Sequence, residues 1–212
     1  MTGGRRPPPR LHVVTDDDIV RGRDFPARAR AILAAGGPRL AFHLRHRAAD
    51  REVYRLAGSL IEAAAPSGAS VIVSRRVDIA RAAGAHGAHL GRGAIAPGAV
   101  RALLGPRGWL GASIHDPSDA AAADPRVLDY LVLGPVFPTA THPGREPLGA
   151  GALAEAAGTT ELPVVAIGGV TTERVGDCLE AGAWGVAVVR AVWSAPDPSA
   201  ATAALRSRLA GR

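Results

Sequence analysis

Short apolar runs recur along the chain at 11–15, 40–45, 70–74, 87–90, 109–115, 130–137, 163–169 and 185–190. Each is nearly continuous and does not alternate with polar residues, which is the pattern of a parallel strand covered on both faces. Between them lie Ala- and Arg-rich stretches of helical period, at 25–35, 50–65, 77–83, 97–104, 117–123, 148–157, 171–181 and 198–209. Pro97, Pro117 and Pro198 stand where the first turn of a helix tolerates proline, and Gly158 and Gly182 stand where helices end. Eight strand–helix units predict an α/β protein folded as a single (β/α)8 TIM barrel over residues 11–212. An open, doubly wound sheet is the alternative, but no G-x-G-x-x-G follows the first strand. Residues 1–10, basic and proline-rich, read as a flexible terminus.

Composition narrows the chemistry. The chain holds 25 basic residues, every one an arginine, and no lysine. Schiff-base catalysis and P-loop phosphate binding both need a lysine and are therefore excluded. The net charge is +6, yet the arginines are spread along the chain and aromatic residues make up only 4%. Base stacking has little to work with, so nucleic acid is not an expected partner. An arginine-lined site for an anionic small molecule accounts for the charge equally well. The single cysteine, Cys178, excludes an internal disulfide and a cysteine-based metal cluster. No apolar signal-peptide core follows the basic start, and no apolar run approaches a membrane span. A cytoplasmic protein without a membrane partner is expected, with homo-oligomer formation left open.

Three groups of residues could carry chemistry. The seventh run ends in Gly168-Gly169 just before a helix, and in barrels the loops after strands seven and eight often bind phosphate through backbone N–H groups. The second run ends in His43, Arg45, His46 and Arg47. Strand alternation puts His43, Arg45 and Arg47 on one side, where two arginines and an imidazole would face the barrel mouth. His115 ends the fifth run, and His142 lies in a Pro/Gly-rich stretch, 138–151, with Thr139, Thr141 and Arg145. Histidine is the usual proton carrier near neutral pH. His86 and His89 flank the fourth run and carry less weight. No His/Cys/Asp/Glu spacing matches a metal site, so no metal is expected.

Taken together, these segments resemble the thiamine phosphate synthase/TenI family from Leu11 to Val189. The most specific matches are Arg76-Val77-Asp78-Ile79-Ala80, Gly87-Ala88-His89-Leu90-Gly91, Gly134-Pro135-Val136-Phe137-Pro138-Thr139-Ala140-Thr141 and Ala166-Ile167-Gly168-Gly169-Val170. The resemblance implies a (β/α)8 barrel and a phosphorylated thiazole or thiamine phosphate as ligand. It also implies Gln-x-Arg-x-Lys, Asn-Asp, Gln-Glu-Asp and Thr-x-Thr-Lys motifs after strands two, three, four and six. Here these read His43/Arg45/Arg47, Ser74-Arg75, Arg92-Gly93-Ala94 and Thr139/Thr141/His142. The magnesium carboxylates that the synthase motifs imply are absent.

Retention of the phosphate half, with loss of the metal half, makes a metal-independent thiazole tautomerase of the TenI branch the expected activity. In that reading Gly168, Gly169, Val188 and Val189 bind phosphate with Thr139 and Thr141, and Arg45 and Arg47 hold the carboxylate. The branch's catalytic histidine aligns with Pro135, so proton transfer would fall to His142, His43 or His115. No cofactor is then required. The enzymatic alternative is a thiamine phosphate synthase that couples hydroxymethylpyrimidine diphosphate to thiazole phosphate at an altered diphosphate site. There Mg²⁺ would be the cofactor, or Arg75 and Arg92 would supply the countercharge. A non-catalytic thiazole or thiamine phosphate-binding protein is the third reading.

Overall fold

The computed structural model describes residues 6–139, 144 and 146–210. Eight parallel strands close into a barrel in sequential order: β1 (Leu11–Val14), β2 (Leu40–Leu44), β3 (Ser70–Ser74), β4 (Gly87–Leu90), β5 (Trp109–Ile114), β6 (Tyr130–Leu133), β7 (Val164–Ile167) and β8 (Gly185–Val188). The helices are α1 (Asp17–Arg21), α2 (Phe25–Gly36), α3 (Asp50–Ala64), α4 (Val77–Ala82), α5 (Pro97–Leu104), α6 (Ser118–Ala121), α7 (Gly149–Gly158), α8 (Val175–Glu180), α9 (Arg190–Trp193) and α10 (Pro198–Ala210). The predicted (β/α)8 barrel is thus the observed fold.

Two short helices escaped the hydrophobic pattern, because α1 and α9 are too brief to show a period. Asp16 starts α1 by accepting a hydrogen bond from Ile19 N–H at 2.9 Å, a side-chain N-cap. The strand β6 ends at Leu133 and does not reach 137. Pro135 has no N–H for the ladder, and the amides of Val136 and Phe137 instead donate to the carbonyls of Ile167 and Gly168 at 2.8 and 3.0 Å. This bend carries 134–138 across the end of β7, beside the diglycine.

Strand alternation sorts the core into two regions. Outward residues such as Leu11, Val13, Leu40, Phe42, Val71 and Val73 pack under the helices in one large apolar layer. Inward residues include Tyr130, Val132, Val165 and Ala187. They share the interior with His12, His43 and His89, all buried, whereas branched aliphatic residues dominate most barrel interiors. Space for Tyr130 comes from Gly111, where a Cβ would stand 2.1 Å from the tyrosine ring.

The barrel floor is closed by residues 6–10, which were expected to belong to a flexible terminus. Trp109 Nε1 donates to the Arg6 carbonyl and Trp184 Nε1 to the Pro8 carbonyl, each at 3.0 Å. Val186 N–H donates to the Arg10 carbonyl at 2.9 Å, continuing the β8 edge into this segment. Pro8 and Pro9 are buried. Length and charge alone do not reveal this packing, since it depends on two tryptophans distant in sequence.

Arginine also staples loops. Arg101 on α5 donates to the carbonyls of Val127, Gly105 and Gly108 and to the Asp129 carboxylate, which itself accepts from Leu110 N–H. Both side chains are largely buried, at 12% and 5% exposure. Removing one partner of such a pair leaves a buried charge unpaired. Arg101→Met is therefore expected to lower unfolding free energy by about 3 kcal/mol, read from urea denaturation. An unchanged midpoint would contradict this account of the α5–β6 junction.

Candidate active site

The C-terminal ends of the strands surround a cavity of about 660 Å³. This is the end of a (β/α)8 barrel at which ligands bind. Among the described residues five arginines line it: Arg45, Arg75 and Arg92 follow β2, β3 and β4, while Arg174 and Arg190 follow β7 and β8. In a ring of eight strands β3 stands opposite β7 and β4 opposite β8. The arginines therefore form two arcs that face each other across one mouth. Among the described lining residues the only carboxylate is Asp16, already engaged as the cap of α1. No acidic side chain among the described residues pairs with Arg45, Arg75 or Arg92. The mouth consequently carries a positive field that attracts anions.

Arg75 is held in an unusual conformation. Its φ of 70° lies in the left-handed region, where a non-glycine residue is strained by about 1 to 2 kcal/mol. The Arg75 amide donates to the His89 carbonyl at 2.8 Å, which extends the β3–β4 ladder and maintains the turn. Strain of this kind concentrates at functional sites.

On the opposite arc, Gly168 and Gly169 have consecutive positive φ values of 95° and 64°. A Cβ at Gly168 would stand 2.6 Å from Pro135 Cβ, and one at Gly169 would stand 2.4 Å from the Pro138 carbonyl oxygen. Only glycine fits both the conformation and the approach of 134–138. Arg174 Nη1 donates to the Gly169 carbonyl at 2.8 Å, and its guanidinium lies over the Phe137 ring at 4.9 Å. Among the described residues, the N–H groups of Gly168, Gly169 and Val170 have no protein acceptor. Three consecutive unengaged amides beside an arginine form a nest suited to a phosphate.

Between the arcs, a histidine network reaches down into the barrel. His12 Nε2 lies 2.8 Å from the Pro9 carbonyl, and His12 Nδ1 lies 2.8 Å from His43 Nε2. A carbonyl can only accept, so His12 carries its proton on Nε2 and accepts at Nδ1 from His43 Nε2–H. The Nδ1 of His43 is then an unprotonated acceptor. His89 Nε2 lies 2.9 Å from Ser113 Oγ, and its Nδ1 lies 3.3 Å from Tyr130 OH. Burial pushes His12 down to about 4 and His89 to about 3, and it holds His43 well below the ordinary value of 6.5, helped by the neighbouring His12 and His89. All three are neutral at physiological pH. His43 and His89 reach the cavity, whereas His12 supports them from below.

The expected site residues separate clearly. His43, His115, Arg45, Thr139, Gly168, Gly169, Val188 and Val189 all line the cavity. His115 Nδ1 donates to the Gly134 carbonyl at 3.0 Å. Arg47 does not line it: β2 ends at Leu44, so strand alternation no longer applies, and the Arg47 amide is bound by Asp17 Oδ1 at 2.6 Å. His46 is buried between Asp17 and Glu52, at 2.9 and 3.3 Å. Thr141 and His142 lie outside the described residues, as does Arg145. His12, Asp16, Arg174 and Arg190 carry no site signal in the sequence, and His89 carries little. Isolated residues of this kind leave no periodic signal, and only barrel closure brings them together.

Fold and site thus define a (β/α)8 barrel whose mouth is built for anions. The chain belongs to the thiamine monophosphate synthase family, whose model matches residues 11–192. It is 39% identical over 201 residues to the thiamine-phosphate synthase of Methanoculleus marisnigri, covering 94% of this chain and 95% of that one. Identity to the Salinibacter ruber thiamine-phosphate synthase is 36% over 203 residues, covering 95% and 89%. The thiamine phosphate pyrophosphorylase structure from Pyrococcus furiosus superposes with a TM-score of 0.81 at 29% identity, covering 95% of each chain. These relatives overturn the expected thiazole tautomerase and favour the synthase alternative, and none of them is named for the TenI branch. Pro135 lines the cavity and has no group that can move a proton.

Magnesium, which the synthase motifs imply, does not fit the residues present. It requires hard oxygen ligands, chiefly carboxylates. Among the described residues Asp16 is the one lining carboxylate, and no cluster of three His, Cys, Asp or Glu residues occurs. Residues 1–5, 140–143, 145 and 211–212 contain no Asp or Glu either. The positions that correspond to the metal motifs hold Arg75 and Arg92.

Two outcomes test this site. Gly169→Ala is expected to weaken inorganic phosphate binding by about tenfold or more, since a Cβ 2.4 Å from the Pro138 carbonyl oxygen displaces the amides from the anion and costs a charge-assisted bond; calorimetry showing unchanged affinity would exclude the nest. The buried histidines set a pH dependence, because the unfolded chain, with pKa values near 6.5, binds protons that the folded chain refuses. Their stabilisation is complete above that value and declines as pH falls towards about 4 and then 3. Urea midpoints should therefore drop between pH 7 and pH 5, whereas a flat or rising profile would contradict neutral burial.

Proposed function

We propose that this protein is a thiamine phosphate synthase, joining a hydroxymethylpyrimidine diphosphate to a thiazole phosphate. In the reaction the bond from the pyrimidine methylene carbon to the diphosphate oxygen breaks, and pyrophosphate leaves with the electron pair. The thiazole ring nitrogen supplies the pair for the new C–N bond. The single observation that carries this reading is the pair of cationic arcs facing each other across one cavity. A monophosphate and a diphosphate held at opposite sides of one mouth would bring the reacting carbon and nitrogen to its centre, where proximity lowers the barrier. Synthase-named relatives covering more than nine-tenths of the chain support the same conclusion.

The roles follow from position. The Gly168–Val170 nest with Arg174 suits the thiazole phosphate, and Val188 and Val189 wall that side. Arg45, Arg75 and Arg92 face the diphosphate and stabilise the charge that gathers on it as the bond lengthens. Positive charge develops on the methylene carbon at the same time. His43 and His89, kept neutral by burial, set no opposing charge beneath it.

The test supplies both substrates to the purified protein in a buffer containing Mg²⁺ and follows thiamine phosphate by chromatography. Product should form with release of one equivalent of pyrophosphate. Binding of the thiazole phosphate without any product would overturn the proposal and leave a ligand-binding protein in its place.

A further inference from the structure

The arginine arc after β2, β3 and β4 points to a leaving-group site that works without a divalent cation. Building on the synthase reading, we infer that Arg45, Arg75 and Arg92 bind the pyrophosphate group directly and take the place of a metal. The three side chains come from successive strands, so they converge on one sector of the mouth. All three are exposed to the cavity and have no acidic partner among the described residues. A guanidinium presents a planar fork of donors that pairs with two phosphate oxygens at once, and it keeps its charge at any physiological pH. Three such groups match the charge of a diphosphate without help.

The same arrangement disfavours a metal. A dication entering this sector would meet three positive charges, and the one carboxylate among the described lining residues, Asp16, is already engaged by the Ile19 amide. Two features fix the backbone of the arc at Arg75 and Arg45. The Arg75 backbone is locked in its left-handed turn by the bond to His89 O. Arg45 is anchored through Thr15, whose Oγ1 accepts from the Arg45 amide at 2.9 Å and donates to its carbonyl at 3.1 Å. Backbone strain of this kind clusters at ligand-binding sites, and Arg75 places it at the cavity rim.

The inference predicts an inverted magnesium response. In solution Mg²⁺ complexes pyrophosphate and neutralises the charge that the arginines read, so added metal should weaken binding or leave it unchanged. A metal-dependent site would show the reverse.

The experiment titrates the full chain with inorganic pyrophosphate by calorimetry, once in EDTA and once in excess Mg²⁺. Binding in EDTA is expected, with no tightening by the metal. Arg75→Gln and Arg92→Gln should each weaken pyrophosphate by about 10- to 100-fold, the size of one charge-assisted contact. Inorganic phosphate binding at the Gly168–Val170 nest should persist in both variants, which also shows that they are folded. Pyrophosphate binding that appears only with Mg²⁺, or that both variants retain in full, would overturn the inference. Turnover separates this inference from the synthase reading. Thiamine phosphate formed only in the presence of Mg²⁺ would defeat the inference and leave the synthase standing. Arginine-dependent pyrophosphate binding in EDTA, with no product from the two substrates, would defeat the synthase and leave the anion site standing.

Discussion

Closing eight parallel strands into a ring fixes how much side-chain volume the interior can hold, and the site follows from how this chain fills it. Glycine at 111 yields the space that the Tyr130 ring occupies, and Gly87 lies so close to β5 that a Cβ would meet the Trp109 carbonyl at 2.3 Å. The remaining volume goes to three histidines where branched aliphatic residues would be usual. Buried imidazoles survive only when their nitrogens are partnered. The chain of partners starts at the Pro9 carbonyl on the floor, passes through His12 and reaches His43 at the cavity. The segment that closes the floor therefore determines which nitrogen of His43 lacks a proton at the other end of the barrel.

The arginines perform two separate tasks. Within the scaffold they act as multi-acceptor clamps: Arg28 reaches the carbonyls of Trp193 and Ala195, Arg206 that of Ala35, and Arg10 those of Trp184 and Leu209. A guanidinium spans separate acceptors in one plane, which the ammonium of lysine cannot do with the same preorganisation. At the mouth the same residue type has another use. Among the described residues Arg45, Arg75 and Arg92 have no carboxylate partner, so their field is directed at whatever enters the cavity. Absence of lysine from the sequence is thus compatible with a phosphate site, provided backbone amides and arginines do the binding.

The fold was legible because buried parallel strands and helices leave opposite periodic marks on a sequence. Errors arose where a local rule was carried past the element that justifies it. Alternation placed Arg47 beside Arg45, but the strand ends at Leu44 and Asp17 holds the Arg47 amide instead. The diglycine at 168–169 was recognisable because only glycine tolerates its backbone angles and the neighbouring chain. His12 and Arg174 were not, since a lone polar residue in an apolar run has the same appearance whether it faces a helix, a neighbour or a cavity. The tautomerase expectation failed on another ground. The missing metal carboxylates weigh against a synthase, yet relatives 36–39% identical over most of the chain are named thiamine-phosphate synthase.

By itself the sequence determined the barrel, the glycine pair at 168–169 and the exclusion of lysine chemistry, because each rests on residue types and spacings within one local segment. Only the tertiary structure decided which arginines share a mouth, which histidines stay neutral and where the chain's beginning packs. Those properties depend on distances between residues far apart in sequence and on burial, and neither exists until the eighth strand meets the first.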